Sequence, residues 1–567
     1  MDYSTLADIY EKLESVASKL AKTDILAELL KETSSNDLEK VVLLLQGRVF
    51  PTYSEFDLGV ATQMVIKAIS KATGIKNDSI EELFKKTGDL GLSVEKAIGK
   101  KQQATLSKKK LTIDYVSENL QKLATITGEG SQDRKLNLIS ELIVSASQKE
   151  ARYIIRTILQ DLRVGVAEGI IRDSIVKAFL LGKEHSKEEK EKASEAVDYA
   201  WNVIADFGEV ARLAKEKGIK GLKKVRMQIG RPFNVMLGEK AESIEEIVKD
   251  FGKVAAEFKY DGMRAIIQKK GDKVWVFTRR LENVTKQFPD LVKVVKEGVK
   301  ADEFIVEGEA LGIDRKTHMP LPFQVLSQRI QRKYEIDKAI EEIPVQLNLF
   351  DIIYLDGKML IDKPFKERRK VLEKIVKNIP GKLQLSRQII TDNVKELEKF
   401  YKEALDARQE GLMLKVLDTL YTFGRHVGTM YKIKSTSEPL DAIIIGATWG
   451  EGARTSWLTS FLLAVKDEET GKLVECGMAS TGFSEAEFDQ ITKLLKPLIM
   501  HEKGKAVEVK PKIIIEVGYQ EIQKSTNYSS GYALRFPTFN RFRYMEKSEP
   551  DTLERLKRLY NSQGRAG

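Results

Sequence analysis

The sequence predicts three successive folding units: a large helical unit, a mixed α/β unit and a small β-barrel. Proline placement is the first observation behind this. Pro51 is the only proline before Pro232, and the rest of the 13 follow it. Apolar periodicity is the second: segments 26–45 and 137–161 carry apolar residues three and four apart, the spacing of a buried helix face. The third is a change of texture from about Gly230, where short apolar runs alternate with turn residues.

Within the first unit, the charge run 183–192 reads as a solvated helix face. In the second, 264–268, the turn Lys270-Gly271-Asp272 and 273–278 form a predicted hairpin. Segments 345–355 and 411–417 read as buried strands, with helices over 365–376 and 393–407. The polar stretch 434–438 before Pro439 is a predicted hinge. Beyond it, 442–447, 460–466, 472–478 and 513–519 are strands at a spacing suited to a small barrel, interrupted by a helix over 485–500. Neither an internal repeat nor a low-complexity tract is expected.

A length of 567 residues suits three or four domains. The composition, 42% hydrophobic and 31% charged, is that of a soluble globular protein, slightly rich in Lys and Glu in the manner of thermophiles. A net charge of +10 favours a polyanionic partner. Cys476 is the only cysteine, so no disulfide forms within the chain. His185, His318, His426 and His501 are scattered without zinc-ligand spacing, and nothing near Cys476 suggests a Cys-His nucleophile. Without an 18-residue apolar stretch or a signal sequence, an intracellular protein with no membrane contact is expected.

The chemistry gathers behind Lys259-Tyr260-Asp261-Gly262-Met263-Arg264, at the end of the apolar run 254–258. A lysine there can be a nucleophile if its surroundings favour the neutral amine. The pattern Lys-x-Asp-Gly alone arises by chance in about one chain in eight of this length. Five further motifs follow it. Phe277-Thr278-Arg279-Arg280 brings guanidiniums suited to a terminal phosphate. In Glu307-Gly308-Glu309 both carboxylates share a strand face, for a ribose hydroxyl or a metal. Phe350, in Leu349-Phe350-Asp351, reads either as core or as a platform for a base. Glu410 precedes a strand that Lys415 closes. Lys432 and Lys434 share one face of the strand 430–434, where two ammoniums call for an anion between them. With no Walker A or Gly-x-Gly-x-x-Gly sequence, the set reads as a nucleotidyl-transfer site built on a lysyl phosphoramidate.

The order of these motifs resembles the covalent nucleotidyltransferases, and within them the ATP-dependent DNA ligases of archaeal and eukaryotic replicative type, over nearly the whole chain. The resemblance implies a helical DNA-binding domain over 1–222, an adenylation domain over 223–438 and an OB-fold domain over 439–567. It implies that Lys259 accepts AMP from ATP and that Glu257 reads the adenine amino group. Arg264 and Arg279 would serve the nucleotide and the nick 5′-phosphate, Glu309 the ribose or Mg²⁺, and Phe350 the adenine. Glu410 would ligate Mg²⁺, with Mn²⁺ as an alternative; Lys432 and Lys434 would meet the α-phosphate and Lys415 would lie close to the nucleotide.

In the third unit, the run 535–543 resembles the family's last motif, with Arg541 directed at the nucleotide's leaving group. In the first, 150–156 and Leu162-Arg163-Val164-Gly165 resemble its phosphate-contacting segment, so Arg152, Arg156, Arg163 and Gly165 are expected at DNA. The expected substrate is nicked duplex DNA, handled by a cytoplasmic, nucleoid-associated monomer in replication, repair and recombination. The sliding clamp is an expected partner through Gln103-Ala104-Thr105-Leu106, although the aromatic pair carried there by related archaeal enzymes is missing. RNA ligase or capping-type transfer, and a non-catalytic replication scaffold, are the competing readings.

Overall fold

The computed structural model describes residues 1–99, 110–182, 184–241, 243–332, 334–424, 428–434, 438–450, 454 and 456–561. The Gln103 segment, His426 and the middle of the expected hinge, 435–437, lie outside the described residues.

The first unit is helical: α1 (Tyr3–Ser15), α2 (Lys19–Glu32), α3 (Ser35–Leu45), α4 (Thr62–Thr73), α5 (Asn77–Thr87), α6 (Leu90–Gly99), α7 (Ile113–Thr125), α8 (Ser131–Ser145), α9 (Gln148–Ile158), α10 (Glu168–Phe179), α11 (Lys187–Ile204) and α12 (Phe207–Lys223). The periodic segments 26–45 and 137–161 are each two helices rather than one. Ser34 and Ser147 break them, each side chain accepting the backbone N–H three residues on and so starting a new helix. One hydrophobic core runs through all twelve helices.

This unit is built of two related halves, which corrects the expectation of no internal repeat. Met1, Asp2 and Tyr3 pair antiparallel with Leu111, Thr112 and Ile113: Tyr3 N–H donates to Leu111 at 2.9 Å and Ile113 N–H to Met1 at 3.0 Å. From that seam outward the main packing relations occur twice. Helix α2 lies on α10 as α8 lies on α4, α6 on α9 as α12 on α3, and α1 on α9 as α7 on α3. Asp89 and Asp206 each accept two backbone N–H groups at the start of α6 and α12. The echo is legible in Lys22-Thr23-Asp24-Ile25-Leu26-Ala27-Glu28-Leu29-Leu30 against Lys135-Leu136-Asn137-Leu138-Ile139-Ser140-Glu141-Leu142-Ile143. Only apolar positions and a few polar ones persist between the halves, which is why spacing alone hides it.

The second unit holds β1 (Glu239–Lys240), α13 (Ile244–Phe251), β2 (Val254–Lys259), β3 (Met263–Lys270), β4 (Lys273–Thr278), α14 (Pro289–Gly298), β5 (Glu303–Gly312), α15 (Phe323–Ile330), α16 (Ile336–Glu342), β6 (Val345–Leu355), β7 (Lys358–Met359), α17 (Phe365–Ile375), β8 (Leu383–Leu385), β9 (Gln388–Thr391), α18 (Val394–Asp406), β10 (Gly411–Val416) and β11 (Met430–Lys434). One sheet runs β1-β11-β10-β2-β9 and the other β4-β3-β5-β6-β7, with β8 beside β6. The chain passes from one sheet to the other through Tyr260-Asp261-Gly262, between β2 and β3.

The third unit is β-rich: β12 (Leu440–Trp449), β13 (Leu458–Lys466), β14 (Leu473–Ala479), α19 (Glu485–Leu495), β15 (Ile499–Lys503), β16 (Ala506–Val509), β17 (Ile514–Gly518), β18 (Glu521–Lys524), β19 (Tyr532–Arg535), β20 (Thr538–Phe542) and α20 (Leu553–Tyr560). Long β12 pairs β13 along one edge and both β16 and β17 along the other. The helix expected over 485–500 ends at Leu495, because Pro497 follows and the chain enters β15. Cys476 is buried in this core, and burial pushes its thiol up to about 12, which makes it inert as a nucleophile.

Candidate active site

Lys259 ends β2, the inner strand that pairs β10 on one side and β9 on the other. Register brings the chemistry together: Lys259 lies opposite Gly411, and Gly411 opposite Lys434. Two pairs further along, Glu257, Met413 and Lys432 form a second row. Side chains alternate along a strand, so residues two apart in these rows share a face. Tyr431 and Ile433 go to the other side, into the apolar cluster beneath.

Glu410, just before β10, sits between the two lysines, with Lys259 Nζ at 2.6 Å and Lys434 Nζ at 2.5 Å from its Oε2. Burial by itself would raise this carboxyl, but the charges of Lys259 and Lys434 outweigh it and hold it down at about 2. Burial, and then the charge of Lys259, push Lys434 below the ordinary lysine value. Glu309 faces the same group from β5. Burial raises its carboxyl to about 7, with Lys259 and Arg264 opposing the rise.

Two glycines make this approach possible. A Cβ on Gly262 would be driven into the backbone oxygen of Ala310, and one on Gly411, at φ +140°, into that of Ile433. Asp261 is fixed beside Gly262, its N–H donating to Gln409 Oε1 at 3.2 Å.

Glu257 lies deeper, 2% exposed. Its carboxylate accepts Lys415 Nζ at 2.7 Å, Gln388 Nε2 at 2.7 Å and Arg369 at 3.3 Å. Buried charge survives when paired and hydrogen-bonded in this way. Phe350 is half-buried, with Lys415 Nζ 4.5 Å and the Arg264 guanidinium 5.3 Å from its ring centre, so it is a wall of the site rather than core. Arg264 donates to Glu307 at 2.7 Å and to the Met236 carbonyl at 2.8 Å. Glu307 also accepts the Tyr421 hydroxyl at 2.9 Å. Of the two β5 carboxylates, Glu307 therefore positions Arg264, while Glu309 faces the lysines.

The structure thus brings Lys259, Glu257, Arg264, Glu309, Phe350, Glu410, Lys415, Lys432 and Lys434 onto adjoining strands. Arg279 lies on the exposed turn after β4. Arg541 is exposed on β20, and its hydrogen-bond partners, Glu516 at 3.1 Å and Glu546 at 3.2 Å, belong to the third unit. Sequence reading missed Arg369, Gln388 and Tyr421. They sit on α17, on β9 and in the loop after β10, in no motif, and only folding aims them at Glu257 and Glu307.

In the helical unit the four expected DNA residues separate. Arg152 and Arg156 are buried and committed to carboxylates: Arg152 to Glu95 at 3.1 Å, Arg156 to Asp89 at 2.6 Å and to Glu14. Arg163 and Gly165 are exposed on a loop that turns through positive φ at both residues, +59° and +64°. Arg163 holds Asp161 at 2.6 Å.

Three family models match in order: DNA ligase N terminus over 2–176, ATP dependent DNA ligase domain over 235–434 and ATP dependent DNA ligase C terminal region over 454–545. The DNA ligase of Nanoarchaeum equitans is 47% identical, covering 99% of each chain, and that of Thermococcus onnurineus 46%, covering 100% of this chain and 99% of the relative. That of Archaeoglobus fulgidus is 41% identical over 99% of each. A solved structure titled Pmar-Lig_Pre. shares the fold at a TM-score of 0.54 and 17% identity, covering 95% of this chain and 98% of that one. No helix among the described residues is long and apolar enough to cross a membrane. With the lysine-centred site and all three of its regions in place, the chain belongs to the ATP-dependent DNA ligases.

Proposed function

We propose that this ligase seals nicks between a 5′-phosphate and a 3′-hydroxyl in duplex DNA, with Lys259 carrying AMP between ATP and the nick. The row Lys259, Glu410, Lys434 is the observation that carries the assignment of the nucleophile. Lys259 Nζ forms a bond to the α-phosphorus of ATP as the bond to the bridging oxygen breaks, and pyrophosphate leaves with that electron pair. The nucleophile is the free amine, so the Lys259–Glu410 pair opens and the amine gives up its proton before attack. Lys432 and Lys434 stabilise charge on the phosphate, while Phe350 stacks on adenine and Glu257 accepts from its amino group. AMP then passes to the nick 5′-phosphate, with Arg264 and Arg279 on that phosphate, and attack by the 3′-hydroxyl releases AMP.

Glu410 and Glu309 fit a Mg²⁺ or Mn²⁺ site. Among the described residues no three acidic, His or Cys side chains converge, and Mg²⁺ on a nucleotide needs only one or two carboxylates beside the phosphates. When bound, the ion would neutralise phosphate charge. Arg541 is assigned to the pyrophosphate. Working units of 1–222, 223–438 and 439–567, a monomeric state, nucleoid association, and a clamp contact through Gln103 complete the proposal. DNA contact falls to the exposed loop of Arg163 and Gly165, where the glycine allows close backbone approach; Arg156 supports that loop from within, donating to the Leu162 carbonyl at 3.4 Å, while Arg152 is held by Glu95.

Mass spectrometry after exposure to ATP tests the core of this reading. A gain of one AMP on a peptide containing Lys259, with nick sealing lost in Lys259→Ala, is the expected result. Labelling by GTP alone, or equal sealing by the variant, overturns it.

A further inference from the structure

Two buried lysines of the helical domain, Lys22 and Lys135, form no ion pair among the described residues and are committed to loop carbonyls instead. Lys22 Nζ donates to Val164 O at 2.6 Å and Gly165 O at 3.2 Å. Lys135 Nζ donates to Leu58 O at 2.7 Å and Gly59 O at 3.4 Å. The lysines are equivalent positions of the two halves, Lys22 on α2 and Lys135 on α8, and so are their targets. Leu58-Gly59-Val60-Ala61 runs into α4 as Val164-Gly165-Val166-Ala167 runs into α10. Gly59 and Gly165 share a left-handed backbone, φ +59° and +64°. A Cβ on Gly165 would lie 2.5 Å from Lys22 Nζ, and one on Gly59 2.9 Å from Lys135 Nζ. The clamps are crossed, because each half's lysine holds the other half's loop. A side-chain hydrogen bond also joins each of these helix pairs, in opposite senses: Ser174 Oγ on α10 donates to Thr23 O on α2 at 3.2 Å, and Ser140 Oγ on α8 to Ala68 O on α4 at 3.1 Å.

An ammonium buried without a direct ion pair is costly: burial pushes both lysines below the ordinary value, and the charges of Glu14 near Lys22 and Asp57 near Lys135 only partly oppose it. A core of this size needs no such groups to fold, yet the chain carries the device twice, each time at an exposed positive-φ glycine just before a helix. Two loops, each fixed to a helix of the opposite half, present a rigid span, which suits a ligand with a repeating backbone rather than a single point of contact.

We propose that Lys22 and Lys135 are reciprocal positioning residues: each sets the glycine loop of the other half, so that loops 57–60 and 163–166 meet the phosphodiester backbone of nicked DNA as a matched pair, one from each half of the domain. The inference rests on the reading that the Arg163–Gly165 loop faces DNA and adds the second loop, the coupling and the residues that enforce it.

The test uses the full chain with a nicked duplex bearing a 3′-dideoxy end, reading anisotropy and hydroxyl-radical footprints for Lys22→Met, Lys135→Met, Gly165→Ala and Arg163→Ala. Circular dichroism and self-adenylation by ATP report folding. Loss of a clamp raises Kd about tenfold, the scale of one charge-assisted hydrogen bond. Protection weakens on one side of the nick in Lys22→Met and on the opposite side in Lys135→Met, a split that general loosening of the domain would not produce. Gly165→Ala, which leaves the ammonium in place but displaces it, weakens the same side as Lys22→Met. Wild-type affinity and footprints in both folded lysine variants, or equal loss on both sides in each, overturns the inference, and so does a Gly165→Ala footprint like wild type should the lysine variants fail to fold. Weaker binding by Arg163→Ala alone leaves the DNA-facing reading standing while the clamps fail; wild-type binding by Arg163→Ala removes that reading and the inference with it.

Discussion

One carboxylate oxygen of Glu410 forms ion pairs with both Lys259, at 2.6 Å, and Lys434, at 2.5 Å. The sequence set the cations Lys432 and Lys434 around the nucleophile and kept Glu410 for a metal. The structure makes this carboxylate the hinge of the site's electrostatics, since it keeps two like charges together on neighbouring strands. Glu410→Gln leaves those ammoniums to repel each other, and self-adenylation falls by about 10²-fold or more in single-turnover labelling with ATP. A rate within twofold of wild type would contradict this role.

The same residue predicts an acid limb. Its folded carboxyl, at about 2, lies below its ordinary value of 4.5, so its contribution to stability is full above 4.5 and is lost as pH falls from 4.5 towards 2. The Tm gap between wild type and Glu410→Gln shrinks through that window.

Glu309 carries the opposite sign. Its folded carboxyl is raised from 4.5 to about 7, so the cost of burying its charge is absent below 4.5 and complete above 7. Glu309→Gln therefore gains stability relative to the nucleotide-free wild type as pH rises from 4.5 to about 7, by about 2–4 °C in Tm for each kcal/mol relieved. Melting curves at pH 5 and pH 8 check it; a gap that does not open with pH counts against the buried charge.

Gln388 supplies one of the donors that hold the Glu257 carboxylate, at 2.7 Å. Gln388→Ala loosens that acceptor without touching the phosphates. We expect KM for ATP in self-adenylation to rise about fivefold to tenfold with kcat little changed, and competition by GTP to increase. A fall in kcat with KM intact would place Gln388 elsewhere in the mechanism.

Gly262→Ala tests geometry alone. Its new Cβ meets the backbone oxygen of Ala310, which has no rotamer by which to escape, so the Lys259 turn must shift. Misplacement on the scale of an ångström costs self-adenylation about 10²-fold.

Arg163 and Arg156 part ways in salt. Arg163→Ala lowers affinity for nicked DNA and reduces the slope of log K against log salt by about one. Arg156→Ala strands buried Asp89 and costs about 3–5 kcal/mol of stability, which denaturant unfolding of the helical domain would record.

The elements themselves were largely legible. Alternation and turn residues marked the hairpin at Gly271-Asp272, found as β3 and β4, and buried runs marked β6 and β10. Helices α17 and α18 fall within a residue of their periodic segments. Ser34, Ser147 and Pro497 then cut longer periodic segments short, because a cap or a missing N–H acts at one residue whereas periodicity averages over many.

By itself the sequence picked out the candidate site residues and their order, from Lys259 to Lys434, because each motif occupies one strand end or turn whose local chemistry is complete within a few residues. Tertiary structure alone decided what depends on register and burial. It aligned Lys259, Gly411 and Lys434 across three strands, gave Glu257 its donors from α17, β9 and β10, and turned Arg152 and Arg156 inward. It also folded two half-domains about the seam at Asp2 and Thr112, crossing Lys22 onto Gly165 and Lys135 onto Gly59. Those partners stand more than 70 residues apart, a separation that no local pattern encodes and that packing alone closes.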